Sequence, residues 1–263
     1  MNRVTEPALF ILTILSFGTC VAQAQVQEAV EQYPSGETRV TVECFSPDAK
    51  GKYPAVFLLH GAGGLDPGTA TAFREIGRGL AAQGYVVLIP HYFEKTGHKF
   101  GTRFLAGEIQ SYDDALHDGI EFAAASGIVD PERIGLVGYS LGAHLAFFRS
   151  TRDPRVKAIV SCSGSLPVGW NAKFPPVLIL QGSKDKGSPT QRLKAFEEKL
   201  KTTDTPYATH VYHWLGHNFD VSTWDDAGRR MAVFFNKHLK KREPKKSKAK
   251  SKPQTKTDSS DDS

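Results

Sequence analysis

The sequence predicts an α/β protein with a mostly parallel central sheet and helices on both faces. Three observations predict it. Short continuous apolar runs, such as Val56-Phe57-Leu58-Leu59 and Ile134 to Val137, have the length and character of strands buried on both sides. Segments with apolar residues at helical spacing alternate with those runs, and several runs end in glycine-rich loops where the chain must turn.

Residues 25–37 are polar and read as irregular. Thr38 to Phe45 sets Val40, Val42 and Cys44 against polar neighbours, an alternation suited to an edge strand. Val56 to Leu59 reads as a central strand ending in His60-Gly61-Ala62-Gly63-Gly64. Ala72 to Gln83 has helical spacing through Phe73, Ile76 and Leu80 and stops at Gly84. Tyr85 to Ile89 is the next buried strand, followed by Pro90-His91-Tyr92-Phe93, and Glu94 to Arg103 lacks periodicity and reads as a loop. Leu105 to Ala125 reads as a long helix that turns Ile109, Tyr112, Leu116, Ile120 and Phe122 to the sheet. Val156 to Val160, Pro176 to Leu180 and Ala208 to Trp214 complete the strands. Thr190 to Lys201 and Trp224 to Leu239 complete the helices.

The stretch that organises the chain is Gly138-Tyr139-Ser140-Leu141-Gly142, between the strand at 134–137 and a helix at 141–148. A G-x-S-x-G pentapeptide at such a junction makes a turn so tight that its central serine is strained and thrust outward. Glycine at 138 and 142 lets strand and helix pass in contact. The pentapeptide alone recurs by chance, and its context gives it weight.

A serine hydroxyl needs a base with a pKa near neutrality, and the base needs an orienting carboxylate. In this topology they follow in the order Ser, Asp, His, on loops after later strands. Asp185 and His217 each stand just past a predicted strand end, which makes Ser140, Asp185 and His217 the candidate catalytic set. Among other histidines, His60 is expected to shape the glycine loop and, with His91 and Tyr139, to line the substrate pocket, and His144 to be fixed on the helix after Ser140. Asp220 and Asp225 follow the histidine, against the expected order, and Asp204 lies at the opposite edge of the sheet. Candidate oxyanion donors are the backbone N–H groups of Leu141 and of Ala62 or Gly63; the plainer reading of 60–64 is a loop needed only for chain reversal. His210 and His213 lie an odd number of residues apart on a strand and face opposite sides, so no metal site is expected with His217, and no cofactor is implied.

Of the 263 residues, 1–24 read as a signal peptide: Ala8 to Gly18 is apolar but too short to span a membrane, and Ala22-Gln23-Ala24 offers a cleavage site. That predicts a periplasmic or secreted protein whose body is residues 25–239; a retained anchor and lipid attachment at Cys20 are the alternatives. Cys44 and Cys162 then remain, as two buried thiols unless they meet in the fold. Residues 240–263 hold nine Lys/Arg and four Asp/Glu, the entire net charge of +5, so the body is neutral and no nucleic-acid partner is expected. The Lys-rich tail reads as disordered and solvated, with contact to an anionic envelope surface as the sharper alternative.

From Val56 to Phe235 the chain resembles the α/β-hydrolases, and within them the dienelactone hydrolase family. The resemblance rests on the His-Gly strand end, on Leu80-Ala81-Ala82-Gln83-Gly84-Tyr85-Val86-Val87-Leu88-Ile89-Pro90, on the serine pentapeptide, on Gly182 to Asp185 and on Gly216-His217-Asn218-Phe219. It implies the α/β-hydrolase fold, the same three catalytic residues and a small ester or lactone as substrate. There are two departures. The family typically has cysteine as nucleophile, where this chain has Ser140, and a glutamate after the strand-end histidine, where it has Gly61. The expected activity is that of a serine esterase working through an acyl-enzyme. A peptidase or acyl-transferase on the same scaffold, and a non-catalytic binding protein, are the rival readings.

Overall fold

The computed structural model describes residues 25–98, 106–166, 170–186 and 190–240. The expected signal peptide, all of the Lys-rich tail beyond Lys240, and parts of the loops at 92–104 and 164–174 lie outside them. An eight-stranded sheet has the order β1-β2-β4-β3-β5-β6-β7-β8. Its strands are β1 (Val26–Ser35), β2 (Thr38–Pro47), β3 (Tyr53–Leu59), β4 (Val86–Pro90), β5 (Val129–Tyr139), β6 (Val156–Cys162), β7 (Val177–Gly182) and β8 (Tyr207–Tyr212). From β4 to β8 every neighbouring pair is parallel, while β1–β2 and β2–β4 are antiparallel.

Alternation along the parallel strands divides the core in two. On one face Ala55, Phe57 and Leu59 of β3 pack with Leu116 and Ile120 of α2 (Ile109–Ala125), Leu145 and Phe147 of α3 (Leu141–Ser150), and Phe196 of α4 (Thr190–Thr202). On the other, Val56 and Leu58 meet Phe73 and Leu80 of α1 (Pro67–Ala81), and Trp224 and Phe235 of α5 (Val221–His238). The α/β architecture with both sheet faces covered is the one expected.

The antiparallel end differs from expectation. Residues 26–35 form a strand, not an irregular segment, so Thr38–Pro47 is the second strand and not the edge. Most of β1 is exposed, and Tyr33 and Ser35 supply its buried side chains, so no apolar alternation announces it. Ten-residue pairing with β2 holds it, through a two-residue turn in which Gly36 takes φ +57°. Helices α1 and α5 also begin earlier than their apolar spacing suggests. Asp66, with Pro67 behind it, accepts from the N–H groups of Gly68 and Thr69, and Asp220 accepts from that of Thr223. The non-periodic stretch from 94 opens as a 3₁₀ turn at Tyr92–Thr96, and α2 begins at Ile109, after a 3₁₀ turn at Ala106–Glu108.

Cys44 on β2 and Cys162 on β6 are separated by β4, β3 and β5, which at the usual strand spacing is roughly 19 Å. Both are free thiols, and burial pushes both pKa values up, that of Cys44 to about 12. They are packing residues.

Candidate active site

Three loops at the C-terminal edge of the parallel strands build the site. The first is the turn from β5 into α3. A Cβ at Gly138 would lie 2.2 Å from the carbonyl oxygen of Gly142, and one at Gly142 would lie 2.1 Å from that of Leu59. Both obstacles are backbone, so only glycine lets β3, β5 and α3 converge. The convergence forces Ser140 to φ +53°, a conformation costing on the order of 1–3 kcal/mol in a non-glycine residue. Ser140 is the N-cap of α3 but its side chain makes no capping bond; the hydroxyl is left for another partner.

That partner is His217: Ser140 Oγ lies 2.9 Å from His217 Nε2. His217 Nδ1 in turn lies 2.9 Å from Asp185 Oδ2, and Asp185 is buried. A carboxylate out of water at Nδ1 keeps the proton on that nitrogen and leaves Nε2 to accept the serine's. The loops that carry Asp185 and His217 are stitched together. The N–H groups of Ser183 and Lys184 donate to the carbonyls of Tyr212 and Leu215, at 3.0 and 2.9 Å. A Cβ at Gly182 would strike the Gly216 carbonyl at 2.2 Å. The three residues singled out as catalytic candidates are thus brought into one hydrogen-bonded chain.

The oxyanion candidates flank it. Leu141 is the first residue of α3, where backbone N–H groups and the helix dipole favour a negative charge. Ala62 and Gly63 occupy a turn closed by Gly64 N–H to Gly61 O at 3.0 Å. The position of a Cβ at Gly61 is 3.4 Å from Ser140 Cβ, so this loop passes beside Ser140, and it is 3.1 Å from the Tyr139 ring. The tyrosine thus crowds the space that a side chain at residue 61 would enter.

The predicted pocket residues divide between two cavities. His60 and His91 line one of about 500 Å³ with Arg74 and Phe93. Tyr139 lines another of about 880 Å³ between α1 and α5, which meets the hydrogen-bonded chain at Tyr139 and Asn218, the neighbours of Ser140 and His217. His91 is held by Glu43 at 3.2 Å, and Glu43 is itself bound by Arg74 at 2.6 Å. His144 turns away toward Ser165, Asp204 pairs with Lys173 and Asp220 caps α5, so none competes with His217 or Asp185.

His60 is bonded within the glycine loop that follows it. Its ring stacks on Tyr92 with centroids 4.0 Å apart, its Nδ1 donates to Gly61 O at 2.9 Å, and its own carbonyl accepts from the Tyr92 hydroxyl at 2.6 Å. Burial pulls its pKa down to about 4 from an ordinary 6.5. As pH falls the unfolded chain takes up this proton first. The contribution is complete above about pH 6.5, and about 3 kcal/mol of it is lost as pH drops to about 4. Thermal unfolding near pH 7.5 and pH 4.5 should show wild type losing much more stability than His60→Gln, narrowing the gap between them. An unchanged gap would contradict a neutral buried ring.

Two contributors were not found from the sequence. Gln181, buried on β7, donates to Asp185 Oδ2 at 2.8 Å, the same oxygen that faces His217. A polar residue inside an apolar strand, four before the acid, was the available signal. Asn218 accepts from the Tyr139 hydroxyl at 2.8 Å; only its place beside His217 hinted at a role.

Residues 40–247 match the model of the dienelactone hydrolase family. The chain belongs to the dienelactone hydrolase family. A protein of Methylorubrum extorquens, provisionally named a carboxymethylenebutenolidase, is 24% identical over 239 residues, covering 80% of this chain and 82% of its own. A crystal structure provisionally named a dienelactone hydrolase, from Klebsiella pneumoniae, superposes with a TM-score of 0.67 at 22% identity, over 80% of this chain and 98% of that one. Thermogutta terrifontis esterase 2, solved phosphorylated by paraoxon, superposes at 0.65 with 19% identity, over 80% and 94%. These two likenesses establish the α/β-hydrolase fold. As a member of the dienelactone hydrolase family the protein is a hydrolase.

Proposed function

We propose that the protein is a serine hydrolase that cleaves a carboxylic ester or lactone through an acyl-enzyme. The observation that carries this is the continuous chain from Ser140 through His217 to Asp185, with both links at 2.9 Å, on a strained strand-to-helix turn. Ser140 Oγ attacks the acyl carbon while His217 Nε2 takes its proton. The imidazolium is stabilised by Asp185 and returns the proton to the leaving alkoxide. The N–H groups of Leu141 and of Ala62 or Gly63 hold the oxyanion, each such donor being worth about 3 kcal/mol in the transition state. Water, activated by the same histidine, then releases the acid. With serine at 140 and glycine at 61, the family's cysteine–glutamate pairing is absent, which favours general esters over one lactone. Residues 1–24 and the Ala22-Gln23-Ala24 site favour action outside the cytoplasm.

The test is hydrolysis of p-nitrophenyl acetate together with labelling by a fluorophosphonate, the adduct being mapped by mass spectrometry. Turnover with the label on Ser140 supports the reading. Absence of both turnover and label would sink it.

A further inference from the structure

Catalysis through His217 requires that its backbone, as well as its ring, be held. The residue lies in a loop five positions beyond the end of β8, directly after Gly216. A Cβ at Gly216 would meet its nearest neighbour only at 4.0 Å, so no side chain braces the loop at that residue. The ring's bonds to Ser140 and Asp185 fix its two nitrogens but not the peptide that carries it.

The end of β6 supplies the missing constraint. Cys162 O accepts from the backbone N–H of Ser140 at 2.9 Å, which ties the nucleophile to this strand. The next residue, Ser163, is buried and takes φ +47°, a left-handed conformation uncommon for a residue with a side chain. Its N–H donates to Leu180 O on β7 at 2.9 Å, and its hydroxyl donates to the carbonyl oxygen of His217 at 2.7 Å. The Tyr139 hydroxyl stands 3.4 Å from that same carbonyl, but its proton goes to Asn218 at 2.8 Å, so Ser163 makes the short bond. Beyond it the chain must run close to α3, because a Cβ at Gly164 would lie 2.3 Å from Ala143 Cβ. Glycine would meet the backbone demand at 163 without strain. The serine adds a hydroxyl aimed at the base's own peptide.

We propose that Ser163 is a positioning residue, and that Cys162-Ser163 forms a bracket fixing Ser140 and His217 at their reacting distance through two consecutive residues. The inference rests on the catalytic reading of Ser140 and His217 above. A displacement of about 1 Å in such a group costs on the order of 100-fold in rate, so loss of the bracket should be visible in turnover.

The experiment compares wild type, Ser163→Ala and Ser163→Gly. Alanine keeps the strained backbone and removes the donor. Glycine removes the donor and relieves the backbone, so it folds even where alanine does not. Expected for both is a kcat on p-nitrophenyl acetate lower by about 10- to 100-fold, with KM within about 2-fold. Fluorophosphonate labelling of Ser140 should slow by the same factor, because it needs the same proton transfer. A purely structural role would instead make glycine as good as wild type. A folded Ser163→Gly with kcat and labelling rate within about 2-fold of wild type overturns the inference while leaving the serine hydrolase intact. If wild type itself neither turns over nor labels, the catalytic reading fails and the bracket with it.

Discussion

Ser140→Ala is expected to lower kcat/KM for p-nitrophenyl acetate by about 10⁴- to 10⁶-fold with no loss of folding stability. In the proposed reaction the hydroxyl is the attacking group, and it makes no capping bond to α3, so removing it should abolish chemistry without disturbing the helix. Alanine also has no worse a backbone problem than serine at φ +53°. His217→Ala should lose a comparable factor, and the double variant little more than either single one, because the two act as a unit. What remains should be the modest acceleration that oxyanion donors and binding give on their own. The decisive measurement is progress-curve kinetics on purified Ser140→Ala, checked for contaminating wild type by fluorophosphonate titration. Residual activity above about 1% of wild type would mean that another nucleophile carries the reaction, and His217 would need a different proton donor.

The parts of this molecule legible in the sequence are those decided by local chemistry. Strands buried on both faces must be continuous apolar runs, so β3 to β7 declare themselves. The edge strand β1 does not, because it is held by backbone pairing to β2 and by a glycine turn that the side-chain pattern does not record. The starts of α1 and α5 were legible in principle: Asp66-Pro67 and Asp220 are cap signals, but apolar spacing alone places the starts further along. At the site, Ser140, Asp185 and His217 follow strand ends in a fixed order, so topology alone brings them together. Gln181 and Ser163 make hydrogen bonds to groups 4 and 54 residues away, and those partners are in place only once the loops are folded. Pocket lining was least legible: His91 belongs to a Glu43–Arg74 ion-pair cluster, and Tyr139 opens onto a different cavity, because which wall a side chain joins depends on how α1 and α5 lie over the sheet.

Gly142→Ala is expected to prevent folding or to destabilise the protein by more than about 4 kcal/mol, although it adds a single methyl group. The added carbon would sit 2.1 Å from the Leu59 carbonyl oxygen and 2.7 Å from that of His60, well inside contact distance. Neither obstacle is the flexible end of a side chain, so relief requires β3 and α3 to separate. That separation would open the core between Leu59 and Leu145 and carry the Gly61–Gly64 turn away from Ser140. Two strands and a helix meet at this point, and overpacking cannot be absorbed by rotamer change as it can elsewhere in a core. Gly79→Ala provides the control: it lies within α1, nothing stands within 4 Å of its would-be Cβ, and helix propensity alone should stabilise it by up to about 1 kcal/mol. Urea unfolding of wild type, Gly79→Ala and any soluble Gly142→Ala separates the two effects. A Gly142→Ala protein within about 1 kcal/mol of wild type would show that strand and helix are not in contact at the turn, and the strain assigned to Ser140 would lose its cause.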